Sequence, residues 1–349
     1  MIVKNGEKTI ERCLQSVAGL VDEIVVVDTG SLDNTVHILM KSKNVKLYHF
    51  EWCDDFSLAR NFSIEKTTGD YVLILDADEY IIGGTRNDLE LIMSQNMIGR
   101  ILIKSDFKKD NQIFQSNTFV SRFFPREVRY FGAIHEQLNR DKPRVNTSLT
   151  VKHSGYFGTN KCKRNIPLLL KEVNKNPTDS HYLFQLGKEL RINKQYEEAY
   201  RFLSKSYEQN AIDTSFYDVL VVELINSGKV CGKEEVLDII SENAQILKNV
   251  SDFHFAKGLF YLDYCLTFPD KSIHFINEIE KSFLTCLSLR DKKHSEYLKG
   301  TSTFLPAYNL GVYYEVFGNI QKAIEYYKLS SNYGYSLAKN RLEQLIENK

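Results

Sequence analysis

The sequence predicts two architectures in succession: a doubly wound α/β domain over residues 1–157 and an all-α helical-repeat domain over residues 158–349. Short β-branched runs alternate with helical stretches in the first half, and two of those runs end in aspartate. In the second half the strand signals fade into helical periodicity, and one pattern occurs twice.

The run from Glu23 to Asp28 is a strand ending in an acid, and Thr29 to Thr35 is a turn with capping residues that opens a helix. Val45 to Phe50 reads as the next strand and Phe56 to Ile64 as a helix. Tyr71 to Leu75 is continuously apolar, the mark of a strand covered on both faces in a largely parallel sheet. Arg100 to Phe107 and Asn117 to Phe124 are further strands. Such a sheet receives ligands at the carboxyl ends of its strands.

Past Lys161, two stretches match each other: Leu186, Gly187, Leu190, Tyr196, Ala199 and Phe202, then Leu310, Gly311, Tyr314, Gly318, Ala323 and Tyr327. Both follow a tetratricopeptide hairpin, in which small residues let two helices approach and aromatics fill the space between them. Units of roughly 34 residues would fit about five times, and isolated hairpins cannot bury their apolar faces, so stacked helices should fill the rest. Helical repeats commonly present a surface to a protein or peptide; a plain bundle buttressing the first domain is the simpler alternative.

Bulk properties exclude several classes. With 349 residues, 43% hydrophobic and 26% charged, the chain has an ordinary globular composition. Lys+Arg and Asp+Glu both number 45, which removes the usual electrostatic argument for a nucleic-acid or membrane-surface binder. No run approaches the roughly 18–20 apolar residues of a membrane span, and the N-terminus lacks a signal-peptide pattern. The six cysteines are scattered without a CxxC pair, so they read as reduced thiols, and the cytoplasm is the expected compartment.

The acidic strand ends carry the chemistry. Asp28 closes one apolar strand, and Asp76 and Asp78 follow another. On an extended chain Asp76 and Asp78 would point the same way and offer two hard oxygen ligands to a divalent cation that also holds phosphate oxygens. That cation would neutralise a departing diphosphate. A lone DxD is common in solvated turns; the apolar strand before it and the second strand-end acid give this one its weight.

The ordered motifs MIVKNGEKTIERCLQSV, IVVVDTGSLDNT, DDFSLARN, GDYVLILDADEY, YFGAIHEQL and VKHSGY resemble glycosyltransferase family 2 enzymes of the GT-A fold. With its helical-repeat tail the chain is similar to the sublancin-type peptide S-glycosyltransferases, which modify a bacteriocin precursor; bacterial enzymes that build surface saccharides share the motif order. The resemblance implies metal-dependent, inverting transfer of a hexose from a nucleotide sugar, UDP-glucose expected, to a peptide side chain, with cysteine preferred and serine second. A cell-surface saccharide or lipid acceptor is the alternative. By motif, Asp28 would contact the nucleotide base, Asp76 would lie near the ribose, and Asp78, with Asp76 and His153, would hold Mg2+ or Mn2+. Asn5, Glu7, Arg60, Asn61 and Ala77 would border the donor. Glu136, beside His135, is the leading general-base candidate, followed by Asp106. Each has a simpler reading: His153 as a strand-end histidine, Arg60 as a helix-surface charge, Glu136 as an acid that binds acceptor groups.

Two departures stand out. The family reads VKNEE near its start where this chain has Gly6 before Glu7, so a carboxylate beside the donor is missing. Met1 also falls inside the first strand of the family pattern, leaving that strand short. A nucleotidyltransferase would bring a glycine-rich phosphate loop, but residues 1–20 offer only Gly6 and Gly19. An inactive helical-repeat interaction protein would have no reason to keep three acids in one crevice. Exposed helical ends make a homodimer an expectation.

Overall fold

The computed structural model describes residues 1–109, 112–140, 142–153, 161–209, 212, 214–289 and 296–347. The chain divides into two compact units, Met1–Asn176 and Pro177–Lys349. The first extends past residue 157 because helix Cys162–Lys175 belongs to it: Arg164 lies 4.9 Å over the Phe56 ring, and Lys171 pairs with Asp54 at 3.1 Å. Among the described residues no helix is long and apolar enough to cross a membrane.

In the first unit, β1 (Ile2–Val3), β2 (Ile24–Asp28) and β3 (Val45–His49) form a parallel sheet with β2 in the middle. Its register aligns Val3, Asp28 and His49 in one row. The connecting helices α1 (Ile10–Ser16) and α2 (Thr35–Lys41) bury Ile10, Leu14 and Leu39 against Val3 and Val26. Helix α3 (Phe56–Glu65) follows β3, and its N-terminus is capped by Asp55, whose carboxylate accepts from Leu58 N at 3.0 Å.

The other main strands are β4 (Tyr71–Leu73), β5 (Glu79–Gly83), β6 (Ile98–Lys109) and β7 (Gln112–Pro125), with helix α4 (Arg86–Ser94) between β5 and β6. A short pair, β8 (Tyr130–Phe131) and β9 (Gln137–Leu138), precedes β10 (Arg144–His153). The sheet runs β7-β6-β10-β5, with β4 antiparallel on β7. Among the pairings of these strands only β6–β10 is parallel, so the expected largely parallel sheet is corrected to a mixed one. β6 shows why: Ile101 and Ile103 face one side while Arg100 and Lys104 flank Leu102 on the other, so the strand is half polar rather than a continuous apolar run.

Both faces of this sheet are covered. Neighbours Phe123 and Phe124 on β7 turn to opposite sides. Phe123 packs with Cys13 and Val17 beside α1 and with Leu89 and Ile92 of α4, while Phe124 packs with Ile64 of α3 and with Tyr130. The first unit ends with α5 (Cys162–Lys175).

The second unit is built of helical hairpins: α6 (Ser180–Ile192) with α7 (Tyr196–Gln209), then α8 (Tyr217–Val230) with α9 (Val236–Asn243). Next come α10 (Ser251–Thr267), the short α11 (Pro269–Ser272) and α12 (Ile276–Ser288), and then α13 (Phe304–Val316), α14 (Ile320–Asn332) and α15 (Ser336–Glu347). The two repeats legible in the sequence are α6/α7 and α13/α14. In each, a glycine lets the helices touch: a Cβ at Gly187 would sit 2.6 Å from Leu203, and one at Gly311 would sit 2.6 Å from the Tyr327 ring. The same device recurs where Gly258 of α10 meets the Phe283 ring of α12, with 2.7 Å left for a Cβ.

Candidate active site

The site forms where β4 ends. Ile74 still donates to Arg122 O of β7 at 2.8 Å, and past the buried Leu75 the chain turns through Asp76-Ala77-Asp78, closed by Glu79 N donating to Asp76 O at 3.0 Å. The extended geometry expected for the two aspartates is therefore corrected: in a turn their carboxylates go to different partners. Asp76 accepts from Arg60 Nη2 and Arg122 Nη2, each at 2.9 Å. Asp78 Oδ2 lies 3.1 Å from His153 Nε2 and 3.4 Å from Lys161 Nζ. Ala77, between them, packs beside Gly6, where an added Cβ would be 3.5 Å from it and 2.8 Å from Val3 Cγ2. Gly6 is thus a close-packing residue, and a larger side chain there would push into Val3.

A buried charge network supports this turn. Arg60, on α3, is 8% exposed and spans two carboxylates, Asp76 and Glu136, the latter through Nε at 2.7 Å. Burial opposes its charge, but Asp76 and Glu136 overcome that and hold the guanidinium above its ordinary value. Arg122, on β7, reaches Asp76 and stands 3.7 Å from Glu79, which is 3% exposed. Burial would raise Asp76, yet the two arginines draw it well below the usual carboxylate range. Glu79 goes the other way: burial, aided by the charge of Asp76, raises it against the pull of Arg122. Arg60 Nη1 and Arg122 Nε are buried and have no hydrogen-bond partner among the described residues. Buried guanidinium N–H groups without partners are rare and point to a ligand that supplies the acceptors.

Asp78 and His153 form a close carboxylate–imidazole pair. Both sit at strand ends, since His153 closes β10 and faces Glu79 across the β5–β10 ladder. Ser105 Oγ lies 3.4 Å from His153 Nδ1 and steadies the ring from behind. Adjacent ligands of an octahedral ion at about 2.1 Å lie about 3 Å from each other, and the 3.1 Å between Asp78 Oδ2 and His153 Nε2 matches that spacing. Among the described residues no group of three His, Cys, Asp or Glu converges on one point. Two protein ligands, with the remaining positions left to phosphate oxygens and water, suit Mg2+ or Mn2+. Asp76, expected beside them from the sequence, is engaged by arginines instead. Burial would raise Asp78, but its hydrogen bond to His153 and the charges of His153 and Lys161 lower it. The remainder of the VKHSGY motif, residues 154–156, lies outside the described residues.

On the β1–β2 side, Asp28 is 4% exposed and accepts from Gly30 N at 3.1 Å and Ser31 N at 3.2 Å, with His49 Nδ1 3.6 Å away. It anchors its own turn at the strand end. Asn5 Oδ1 accepts from Leu32 N at 2.8 Å, and Glu7 Oε2 accepts from Asn34 N at 3.0 Å. Asn5 and Glu7 therefore lace the loop after β1 to the loop after β2.

The remaining candidates separate. Asn61 donates to Tyr130 O and accepts from Tyr130 N, both at 2.9 Å, so its amide pins β8 and the loop beyond it. That loop carries His135, held at a left-handed φ of 50°, and Glu136. Glu136 Oε1 takes the Arg60 bond, and Oε2 accepts none from the described residues. Asp106 is corrected as a base candidate. Ser105, its neighbour on β6, aligns with His153, so Asp106 points to the opposite sheet face, where Lys152 and Gln115 bind it. Sequence reasoning missed Arg122, Glu79 and Lys161: charged residues on strands or helix starts read as solvated.

Residues 1–89 match the model of glycosyl transferase family 2. A TPR repeat-containing protein of Synechococcus elongatus is 37% identical over 138 residues, covering 39% of this chain and 34% of its own length. The SPbeta prophage-derived glycosyltransferase SunS of Bacillus subtilis is 29% identical over 237 residues, covering 64% of this chain and 56% of its own. The chain thus spans 34% and 56% of the length of these curated relatives. Among solved structures, YrrB, described as a TPR protein with an unusual peptide-binding site, covers 53% of this chain and 84% of its own at 14% identity and a TM-score of 0.39. Residues 1–89 thus match a glycosyl transferase family 2 domain, and a region of helical hairpins follows in the same chain.

Proposed function

We propose that the protein is an inverting hexosyltransferase that carries a sugar from UDP-glucose to a cysteine thiol of a peptide, with Mg2+ or Mn2+ held by Asp78 and His153. The observation that carries this reading is the Asp76–Asp78 turn, where a cis-spaced carboxylate–imidazole pair stands beside two buried arginines with unpartnered N–H groups. An anion that brings several oxygens answers both features at once. Arg60 Nη1 and Arg122 Nε would donate to the donor's oxygens, and Asp28 would accept an N–H of the base. The bound cation would neutralise the charge that develops on the diphosphate.

Direct displacement needs the acceptor placed opposite the leaving group and a base for its proton. The sulfur attacks the anomeric carbon as the bond to the diphosphate oxygen breaks, and the thiol proton passes to Glu136 Oε2. A thiol suits this site because its pKa near 8.5 asks little of the base. The peptide reading rests on the motif order shared with the sublancin-type enzymes and on the helical hairpins, which would hold the acceptor chain.

The test is incubation of the full chain with UDP-glucose and a cysteine-containing peptide, with Mn2+ or EDTA, following UDP release and peptide mass. Mn2+-dependent release with a hexose-sized mass gain supports the whole reading. Release without peptide modification would move the acceptor to a saccharide or lipid. No release from any nucleotide sugar would overturn the proposal.

A further inference from the structure

We propose that Lys161 is a built-in competitor of the divalent cation, holding Asp78 until the metal arrives and so setting the site's metal affinity. The inference rests on the metal reading above. Three observations support it. Lys161 Nζ and His153 Nε2 converge on the same oxygen, Asp78 Oδ2, at 3.4 and 3.1 Å. The Asp78 and Lys161 side chains are 28% and 31% exposed, so an ion can reach the pair and the ammonium can leave it. Lys161 is the residue before the first turn of α5, so its side chain alone can move while the helix stays docked through Arg164 and its buried Leu168 and Leu169.

The physical argument is one of shared charge. A carboxylate oxygen that faces an imidazole and an ammonium is already neutralised, and a divalent ion entering beside His153 must displace the ammonium or bind against it. The repulsion between a unit charge and a double charge about 5 Å apart, in a site that is partly open to water, corresponds to a change in affinity on the order of tenfold. Lys171, on the same helix but paired with the exposed Asp54, lacks this contact and serves as the control.

The experiment titrates the full, metal-free chain with Mn2+ alone and reads the free ion by its electron paramagnetic resonance signal. Lys161→Met should bind Mn2+ about tenfold more tightly than wild type. Lys161→Arg should stay near wild type and Lys171→Met should be unchanged, with folding checked by circular dichroism. Folded Lys161→Met that binds Mn2+ equally or more weakly overturns the inference while leaving the metal site intact. Equal, weak binding by wild type and Asp78→Asn would instead overturn the metal reading itself, and this inference with it.

Discussion

In the first unit the residues that shape the site are buried charges, Arg60, Arg122, Asp76 and Glu79, each tolerated because an opposite charge stands beside it. The second unit also holds the ion pairs of Arg191 with the buried Glu223 and of Lys188 with Glu296, but its helices are set close by rings against glycines, as Tyr327 is against Gly311 and Phe283 against Gly258. The contrast separates two uses of a protein interior. Close packing of neutral groups gives a rigid scaffold. Buried ion networks are poor sources of stability but hold directional donors where a charged ligand can use them. The unpartnered N–H groups of Arg60 and Arg122 belong to the second kind.

The contrast can be broken most strongly at Arg122. Arg122→Met leaves Asp76 with one guanidinium and Glu79 with none, so the first unit should lose about 3–5 kcal/mol. Trp52, the chain's one tryptophan, lies in that unit, so the loss should appear as an earlier denaturation midpoint in its fluorescence. Gly311→Ala works on the other unit: its new methyl would meet the Tyr327 ring at 2.6 Å, and overpacking of this kind costs about 1–3 kcal/mol. That loss should shift the helical circular dichroism transition and leave the Trp52 midpoint in place.

The two units should also differ in which end of the pH scale weakens them more. Asp76 and Asp78 are lowered in the folded state, so the stability they contribute is present above their ordinary value of 3.8 and lost as pH falls below it. Glu79 is raised, contributes below 4.5 and softens this acid limb. In the second unit burial raises Tyr207, Tyr314 and Tyr327, and pushes Tyr261 up to about 12. Their contribution is present below 10 and lost as pH climbs above it. Tyr130 in the first unit is raised as well, and Glu278 and Glu315 in the second are lowered, so each unit has both limbs; the acid limb should be the larger in Trp52 fluorescence and the alkaline limb the larger in helical circular dichroism.

How much of this the sequence disclosed follows from what each residue's partners are. Strand-end acids such as Asp28 are legible because an apolar run and a turn bracket them, and Gly187 and Gly311 are legible because their neighbours repeat. Arg122 and Glu79 were hidden because their partners lie far along the chain, joined only when β4 pairs with β7 and β5 with β10. Asp106 misled because its sheet face depends on register, and only the alignment of Ser105 with His153 fixes it. The divergence of Asp76 and Asp78 was hidden for a local reason: nothing in the apolar run shows that the chain turns straight after Leu75.

The central claim, that Asp78 organises sugar transfer in the first unit while the second unit's packing serves as scaffold, is tested most directly by UDP-glucose turnover in Asp78→Asn and Gly311→Ala side by side. The account predicts that Asp78→Asn lowers the Mn2+-dependent rate by roughly 100-fold or more while its helical transition is unchanged. Gly311→Ala should keep the rate and lose only stability. An Asp78→Asn protein that turns over as fast as wild type would contradict the account.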